Sequence, residues 1–120
     1  MVHGWSDPQI TPYQSIEYYG SVLHDLGDVR SSFRLFMVPG MEHSRGGEGV
    51  NDFDSLTVIE QWVEHGQAPE RMNGRRLIDE KTVYTRPICP WPQLAKHDGS
   101  GDPNQAVHFT CIDGSAPVSK

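Results

Sequence analysis

The pattern of apolar and polar positions predicts one buried strand in the first half of the chain. Residues 33–38 are extended-favouring and mostly apolar, and only Arg34 interrupts the run. Such a pattern is typical of a strand that is buried on both faces. Pro39 cannot donate to a sheet and Gly40 permits a positive φ, so the strand is expected to end there. The rest of the chain is predicted to be organised around this strand.

Two helices are predicted, one on each side of the strand in sequence. Residues 12–26 carry apolar side chains at helical spacing, with Thr11 as the N-cap and a proline at the first helical position. Residues 55–65 repeat this pattern behind an N-cap at Asp54 or Ser55. We expect the second helix to pack on the sheet through an apolar stripe, which consists of Leu56, Ile59, Trp62 and Val63.

The second half of the chain predicts shorter and more exposed elements. Residues 68–77 are polar and basic and are expected to form the charged face of a hairpin, with residues 81–86 as an exposed strand. A proline-rich extended arm follows. Residues 102–103 are expected to start a short helical turn, and residues 109–112 to return as an apolar anchor. Residues 113–120 are predicted to be a tail.

Composition and charge exclude several classes of partner. Of the 120 residues, 36% are hydrophobic and the mean hydropathy is −0.55, which is lean for an autonomous α/β domain. The net charge of −6 leaves no surplus of cations for a phosphate backbone, so no nucleic-acid partner is expected. No apolar run approaches the ~18 residues of a transmembrane helix, so no membrane partner is expected. The N-terminus also lacks the apolar core of a signal peptide.

A histidine and an aspartate lie just beyond predicted extended segments. His43 follows the buried strand on a glycine-rich loop, in the position where open α/β sheets keep their chemistry. Asp7 follows a second short extended segment that breaks at Gly4. A lone histidine in a loop is more often a plain surface residue. The order Asp then His, each after a strand, is nevertheless that of the last two members of a Ser–Asp–His triad on an α/β-hydrolase fold.

The nucleophile of such a triad is absent from the sequence. No Gly-x-Ser-x-Gly segment occurs anywhere in the chain. Ser44 lies beside His43, but adjacent residues on one loop do not easily point at each other in triad geometry.

Asp52 and Asp54 do not match the spacing of a calcium loop. Neither a metal site nor a cofactor is predicted.

The two cysteines, Cys89 and Cys111, leave two interpretations open. Their wide separation excludes a Cys-x-x-Cys redox or zinc pair. In a cytosolic protein both would be free thiols, whereas in a secreted protein they would form a disulfide. A bridge over a loop of this length would contribute roughly 3 kcal/mol in the chain-entropy treatment. The proline-rich stretch between them has little core of its own to hold it.

Four segments together resemble the C-terminal portion of the tannase and feruloyl esterase family. They are His-Gly-Trp-Ser-Asp-Pro at 3–8, the stretch 33–43 ending in Met-Val-Pro-Gly-Met-Glu-His, Thr-Arg-Pro-Ile-Cys-Pro-Trp-Pro at 85–92, and Phe-Thr-Cys at 109–111. The resemblance implies an α/β chain that forms the C-terminal portion of an α/β-hydrolase fold. Residues 1–112 would contribute its last strands and helices and a disulfide-stapled arm, and would be incomplete as a domain.

The resemblance also implies roles for particular residues. Family members are secreted serine esterases that act on esters of phenolic acids. Asp7 would therefore orient the imidazole of His43, and His43 would serve as the general base. The resemblance supports a disulfide between Cys89 and Cys111, and it suggests that Ile10 contacts the substrate in the acyl pocket.

The remaining parts of such an enzyme would lie outside this chain. The nucleophilic serine, the oxyanion donors and the lid would come from the upstream part of the same enzyme or from a complementing chain. Many family members carry a cysteine after the catalytic histidine, bonded to one before the nucleophile, and Ser44 removes that tie here. The chain would then be a fragment, a truncated gene model or a relict, with its signal peptide elsewhere. The alternative is a non-catalytic remnant or small disulfide-stapled binding module of the same fold.

Overall fold

The computed structural model describes residues 1–114 and contains seven strands, two α-helices and one 3₁₀ turn in that range. In chain order the elements are β1 (Val2–Gly4), α1 (Pro12–Leu26), β2 (Phe36–Val38), β3 (Asp52–Phe53), α2 (Ser55–His65), β4 (Met72–Ile78), β5 (Lys81–Ile88), β6 (Gln93–His97), the turn Ala106–His108 and β7 (Phe109–Asp113). The strands form a parallel pair β1–β2, an antiparallel sheet β3–β4–β5 and an antiparallel pair β6–β7. The parallel pair β1–β2, joined through α1, is the β–α–β unit expected of the predicted α/β class, whereas the other two sheets are antiparallel.

Strand β2 lies at the centre and is buried on both faces, as the sequence predicted. Phe36 and Val38 pack into one apolar cluster, which also contains Met41, Val50, Met72 and Ile88. Met37 points to the opposite face and packs in a second cluster with Tyr19 and Leu35. This alternation is the period of a strand, and here both faces meet apolar side chains.

The strand is shorter than predicted. The sequence prediction placed it at 33–38, but β2 begins at Phe36, where the chain first pairs with β1. Leu35 is fully buried although it lies outside the strand, and its carbonyl accepts a hydrogen bond from the backbone N–H of Trp91 at 2.7 Å. Extended-favouring residues permit a strand, but a strand also needs a neighbouring strand to pair with. Because β1 is only three residues long, β2 pairs over only three residues.

The two helices begin and end where the sequence predicted. The N-terminal cap of α2 is Asp54, whose Oδ1 accepts from the backbone N–H of Thr57 at 2.9 Å. Thr11 occupies the cap position of α1 with an extended backbone, but its side chain makes no capping hydrogen bond. Gly27 and Gly66 end the helices with positive φ angles of 79° and 66°.

The predicted packing of α2 is wrong for most of its stripe. Leu56 and Val63 are 66% and 77% exposed, and Ile59 is 47% exposed. The helix instead contacts the first apolar cluster through Val58, and Trp62 donates its indole N–H to the carbonyl of Ser31 at 2.6 Å. Helical periodicity shows that a helix has an apolar stripe, but it does not say what covers that stripe.

The C-terminal arm is held by a disulfide and a hairpin. Cys89, directly after β5, is bonded to Cys111 in β7, which confirms the predicted pairing. The hairpin β6–β7 pairs Gln93 with Asp113 and His97 with Phe109. Asp113 therefore ends a strand rather than starting the predicted tail at 113–120, and residues 115–120 of that tail lie outside the described range. Over residues 1–114, no helix is long and apolar enough to cross a bilayer.

Gly4→Ala should disturb the junction between β1 and the loop after β2. A Cβ atom at Gly4 would collide with the carbonyl oxygens of Met41 and Glu42, which are backbone atoms and cannot turn aside. We expect the free energy of unfolding to fall by about 1–3 kcal/mol or more. Urea denaturation of the purified chain measures this loss.

Gly20→Ala is the matched control for that substitution. Gly20 lies within α1, and a Cβ there would meet no atom within 4 Å. Since glycine is unfavourable inside a helix, this change should raise stability by about 0.5–1 kcal/mol. Equal stability of the two alanine variants would contradict the crowding that the structure shows at Gly4.

Cys111→Ser should release the C-terminal arm while leaving the two apolar clusters in place. The disulfide closes a loop with a sequence separation of 22 residues, for which the chain-entropy treatment gives about 3 kcal/mol. Limited proteolysis should show faster cleavage between residues 81 and 112 in the variant and in the reduced native chain. Identical cleavage patterns with and without reductant would contradict a stapling role.

Candidate active site

The site forms where β1 and β2 end side by side. The two strands run in the same direction, with Gly4 opposite Val38. The pairing continues beyond the strands, because the backbone N–H of Trp5 donates to the carbonyl of Val38 and that of Ser6 donates to the carbonyl of Met41, each at 3.0 Å. The residues that follow the two strands are therefore held against each other.

Asp7 and His43 meet directly at this edge. Nδ1 of His43 lies 2.9 Å from Oδ2 of Asp7. The structure thus brings together the two residues that the sequence singled out, although they are 36 positions apart. This is the carboxylate–imidazole contact that orients a catalytic histidine in hydrolase triads.

The Asp7 carboxylate accepts four hydrogen bonds. Oδ1 accepts from the backbone N–H groups of Gln9 at 2.8 Å and Ile10 at 3.0 Å. Oδ2 accepts from His43 and also from Nε2 of His3 at 3.0 Å. An ionised carboxylate offers about four lone-pair directions, so its acceptor capacity is filled. The Asp7 side chain is only 3% exposed, and water therefore has little access to it.

These contacts keep Asp7 ionised. Burial of the carboxyl by itself acts to raise the pKa of Asp7. The hydrogen bonds from the backbone of Ile10 and Gln9, the hydrogen bond from His43, and the charge of His43 in its protonated form act in the opposite direction and prevail. The pKa of Asp7 consequently lies well below its ordinary value, and the side chain is a carboxylate at neutral pH.

His43 is held by one ring nitrogen and presents the other. The hydrogen bond to Asp7 requires Nδ1 to carry the proton, so Nε2 of the neutral ring has a free lone pair. The His43 side chain is 48% exposed, whereas the side chain of its partner Asp7 is only 3% exposed. Nε2 can therefore take a proton from a hydroxyl group that approaches from outside.

The loop that carries His43 is tied to the β4–β5 hairpin. Arg76 in β4 donates to the carbonyls of Gly47 and Gly49, at 2.7 and 3.0 Å. Tyr84 in β5 donates its hydroxyl to the carbonyl of Glu48 at 2.8 Å. The basic side chain of Arg76, which the sequence placed on a charged hairpin face, thus supports the loop of the site.

The hydroxyl of Ser44 contacts the backbone of His43 rather than its imidazole ring. Its Oγ donates to the carbonyl of His43 at 2.7 Å, and its backbone adopts a φ of 59°, in the left-handed region. The sequence argument that Ser44 and His43 do not form a nucleophile–base pair is consistent with this geometry.

Ile10 takes part in the site through its backbone. Its N–H donates to Asp7, and its carbonyl lies 3.1 Å from Nε2 of His3. The side chain of Ile10 is 45% exposed at the same edge. The predicted substrate contact by this side chain remains a prediction.

His3 is the site residue that sequence reasoning missed. Its side chain is 10% exposed, and both ring nitrogens are in hydrogen-bond contact with other groups. The available signal was its position, four residues before Asp7 at the end of an extended segment. Sequence alone does not show that the chain turns back between these two positions.

The described residues do not present a metal site. Among residues 1–114, no three side chains of His, Cys, Asp or Glu come together in a way that could hold a metal ion. An open cleft of about 800 Å³ lies elsewhere, and neither Asp7 nor His43 lines it. Its lining includes Arg34, Arg71 and Trp91, and two of these already donate to backbone carbonyls, Arg34 to Pro69 and Arg71 to Phe109.

The fold and the site present a hydrogen-bonded Asp–His pair at the carboxyl ends of two parallel strands, which is the arrangement of these two residues in α/β-hydrolases. Comparisons with known proteins agree with this class. The sequence model of the family described as tannase and feruloyl esterase matches residues 1–112. The chain therefore belongs to the tannase and feruloyl esterase family.

Several relatives match over most of this chain. The mono(2-hydroxyethyl) terephthalate hydrolase of Piscinibacter sakaiensis is 38% identical over 114 residues, which cover 92% of this chain and 19% of that protein. A probable feruloyl esterase of Arthroderma benhamiae is 39% identical over 118 residues, covering 91% and 21%. The chain spans about a fifth of the length of these relatives.

Solved structures show the same fold. An esterase from Aspergillus oryzae superposes with a TM-score of 0.84 and 26% identity, covering 92% of this chain and 26% of that one. Feruloyl esterase B from Aspergillus oryzae superposes with a TM-score of 0.80 and 25% identity over the same shares. These neighbours confirm that the α/β arrangement seen here is that of the family's esterases.

In the Asp7→Asn variant, the free energy of unfolding should depend less on pH in the acid range than it does in the native chain. Because the pKa of Asp7 is lower in the folded chain than in the unfolded one, its ionisation stabilises the fold above about pH 4, and this contribution is lost as the pH falls further. The variant should be less stable at pH 7 and lose less stability between about pH 4 and pH 2. Urea denaturation at a series of pH values measures both effects.

Asp25→Asn is the matched control, because it removes one carboxylate from an exposed position of α1. As the pH falls below about pH 4, the free energy of unfolding of this variant should decrease as steeply as that of the native chain. The same slope for Asp7→Asn would contradict the ionised, fully hydrogen-bonded state of Asp7.

Proposed function

We propose that this chain supplies the aspartate and the general base of a serine esterase that hydrolyses esters of phenolic acids. One observation carries the proposal: the hydrogen bond from Nδ1 of His43 to the buried Oδ2 of Asp7, at 2.9 Å, formed where β1 and β2 end in parallel. Family membership supports the reaction class, since relatives are named as feruloyl esterases and a terephthalate ester hydrolase.

The geometry supports one proposed part in acyl transfer for each of the two residues. Nε2 of His43 takes the proton of the attacking serine hydroxyl as it adds to the ester carbonyl, and later returns a proton to the leaving alkoxide. The imidazolium that forms in between is stabilised by the charge of Asp7. Asp7 does not receive that proton, because the hydrogen bonds that it accepts hold its pKa well below its ordinary value.

The nucleophile comes from outside this sequence. The chain has no Gly-x-Ser-x-Gly segment, and Ser44 donates its hydroxyl to a backbone carbonyl rather than to an imidazole nitrogen. The serine and the oxyanion donors belong to an upstream part of the same enzyme or to a complementing chain. The exposed side of His43 is where that serine would approach.

The proposed substrate is the ester of an aromatic acid. Relatives are named for feruloyl esters and for a terephthalate ester, and in both acids an aromatic ring is conjugated with the scissile carbonyl, directly in terephthalate and through a double bond in ferulate. Ile10 is the proposed contact for the acyl group, because its half-exposed side chain lies beside Asp7 on the same loop. The disulfide between Cys89 and Cys111 supports a secreted enzyme.

A chimeric enzyme tests the proposal. Residues 1–112 of this chain replace the matching segment of the Piscinibacter sakaiensis hydrolase, which retains its own upstream part. The folded chimera should hydrolyse mono(2-hydroxyethyl) terephthalate. His43→Ala should abolish this turnover, and Asp7→Asn should lower kcat on the order of 10⁴-fold, because the wrong tautomer of His43 is then favoured.

Two controls make the outcome decisive. His65→Ala removes an exposed histidine at the end of α2 and should leave turnover unchanged. The isolated 120-residue chain should hydrolyse p-nitrophenyl acetate no faster than free imidazole does, since in this proposal the nucleophilic serine and the oxyanion donors lie outside it. A soluble, folded chimera without activity, or one in which His43→Ala is fully active, would contradict the proposal and favour a non-catalytic module.

A further inference from the structure

We propose that His3 is a positioning residue, which fixes the carboxylate of Asp7 so that Oδ2 faces His43. The inference rests on the proposed function, because it concerns the aspartate of the proposed triad. The observation behind it is that Oδ2 of Asp7 lies between two imidazole rings, with His3 Nε2 at 3.0 Å and His43 Nδ1 at 2.9 Å.

The ring of His3 is held from both ends. Nδ1 lies 2.6 Å from the hydroxyl oxygen of Ser15 in the first turns of α1. Nε2 faces Oδ2 of Asp7 and, at 3.1 Å, the carbonyl oxygen of Ile10. The side chain of His3 is 10% exposed. The ring therefore bridges strand β1, the loop after it and helix α1, and has little freedom to turn.

These contacts determine which nitrogen donates. Nε2 faces a carboxylate oxygen and a carbonyl oxygen, and both are acceptors, so Nε2 carries a hydrogen. Nδ1 of the neutral ring then accepts the hydroxyl hydrogen of Ser15, which both donates and accepts as needed. The two acceptors at Nε2 thus select the tautomer that donates to Asp7, and the Ser15 contact holds the other end of the ring.

A neutral donor suits this place better than a cation would. A lysine or arginine beside Asp7 would neutralise the negative charge that the imidazolium of His43 uses during catalysis. The neutral form of an imidazole at this position satisfies the second lone pair of Oδ2 without cancelling that charge. Without the donor, a buried acceptor site would lose its partner and the carboxylate could rotate about its terminal bond.

The contribution to catalysis follows from orientation. The two backbone donors on Oδ1 hold one oxygen of Asp7, and the two imidazole donors on Oδ2 set the plane of the group. The direction of Oδ2 in turn sets the orientation of the His43 ring. Small misplacements of a catalytic group lower the rate by up to about 100-fold, even when the group itself is present.

Three substitutions test the inference. His3→Leu removes both ring nitrogens and keeps much of the volume, and His3→Gln keeps an N–H donor at a similar distance from the backbone. Ser15→Ala removes the contact that holds the ring at Nδ1. The first readout is the exchange of the His43 Nδ1–H with water, followed by NMR in the 120-residue chain. The second is kcat and KM of the chimera described above.

His3→Leu should speed the exchange of the His43 Nδ1–H and lower kcat of the chimera about 10–100-fold, with KM nearly unchanged. His3→Gln should restore kcat to within a few-fold of the native value, and Ser15→Ala should give an intermediate loss. His24→Leu, at an exposed position of α1, is the control and should change neither readout. Thermal melts of all variants report any loss of folding.

The outcomes separate this inference from the proposed function. An inactive chimera combined with faster Nδ1–H exchange in His3→Leu would leave the positioning role standing and overturn the esterase assignment. An active chimera in which His3→Leu changes neither exchange nor kcat would overturn the positioning role alone. Equal losses for His3→Leu and His3→Gln, with equally lowered melting temperatures, would also overturn it, since that result is expected of a packing role.

Discussion

The parallel pairing of β1 with β2 is the constraint on which the rest of the structure depends. Both strands point in one direction, so the segments that follow them leave at the same edge, and Asp7 and His43 meet there. Two further backbone hydrogen bonds extend the pairing past the strand ends. A shift of the register by one residue would turn every side chain of β2 to the opposite face, and both apolar clusters would lose their members.

Elements far from the site hold this pair in place. The isolated bridge between Phe36 and Pro90, and the hydrogen bond from Trp91 to Leu35, attach the C-terminal arm beside β2. The disulfide closes that arm at Cys89, adjacent to the bridge. The β4–β5 hairpin holds the loop of His43 from another direction through Arg76 and Tyr84. The stapled arm therefore supports β2, and the β4–β5 hairpin supports the loop that carries His43.

The sequence predicted mainly those features that depend on neighbouring residues in the chain. Helix ends follow from the capping residue Asp54 and from terminal glycines, whose effects act within one turn, and both helices were placed correctly. The length of β2 and the exposure of Leu56 depend on which other segments come close, and these predictions were wrong. The role of His3 also escaped prediction, because its contact with Ser15 depends on how α1 folds back over β1.

The contrast between the two histidines on Asp7 shows how burial assigns their roles. Both rings donate a hydrogen to the same oxygen, so the carboxylate alone does not distinguish them. His3 is 10% exposed and its second nitrogen is engaged by Ser15, so it cannot exchange a proton with an incoming group. His43 is 48% exposed and its second nitrogen makes no hydrogen bond with any residue in the range 1–114. The same chemical group is therefore the proposed support in one position and the proposed base in the other, and access to the second nitrogen makes the difference.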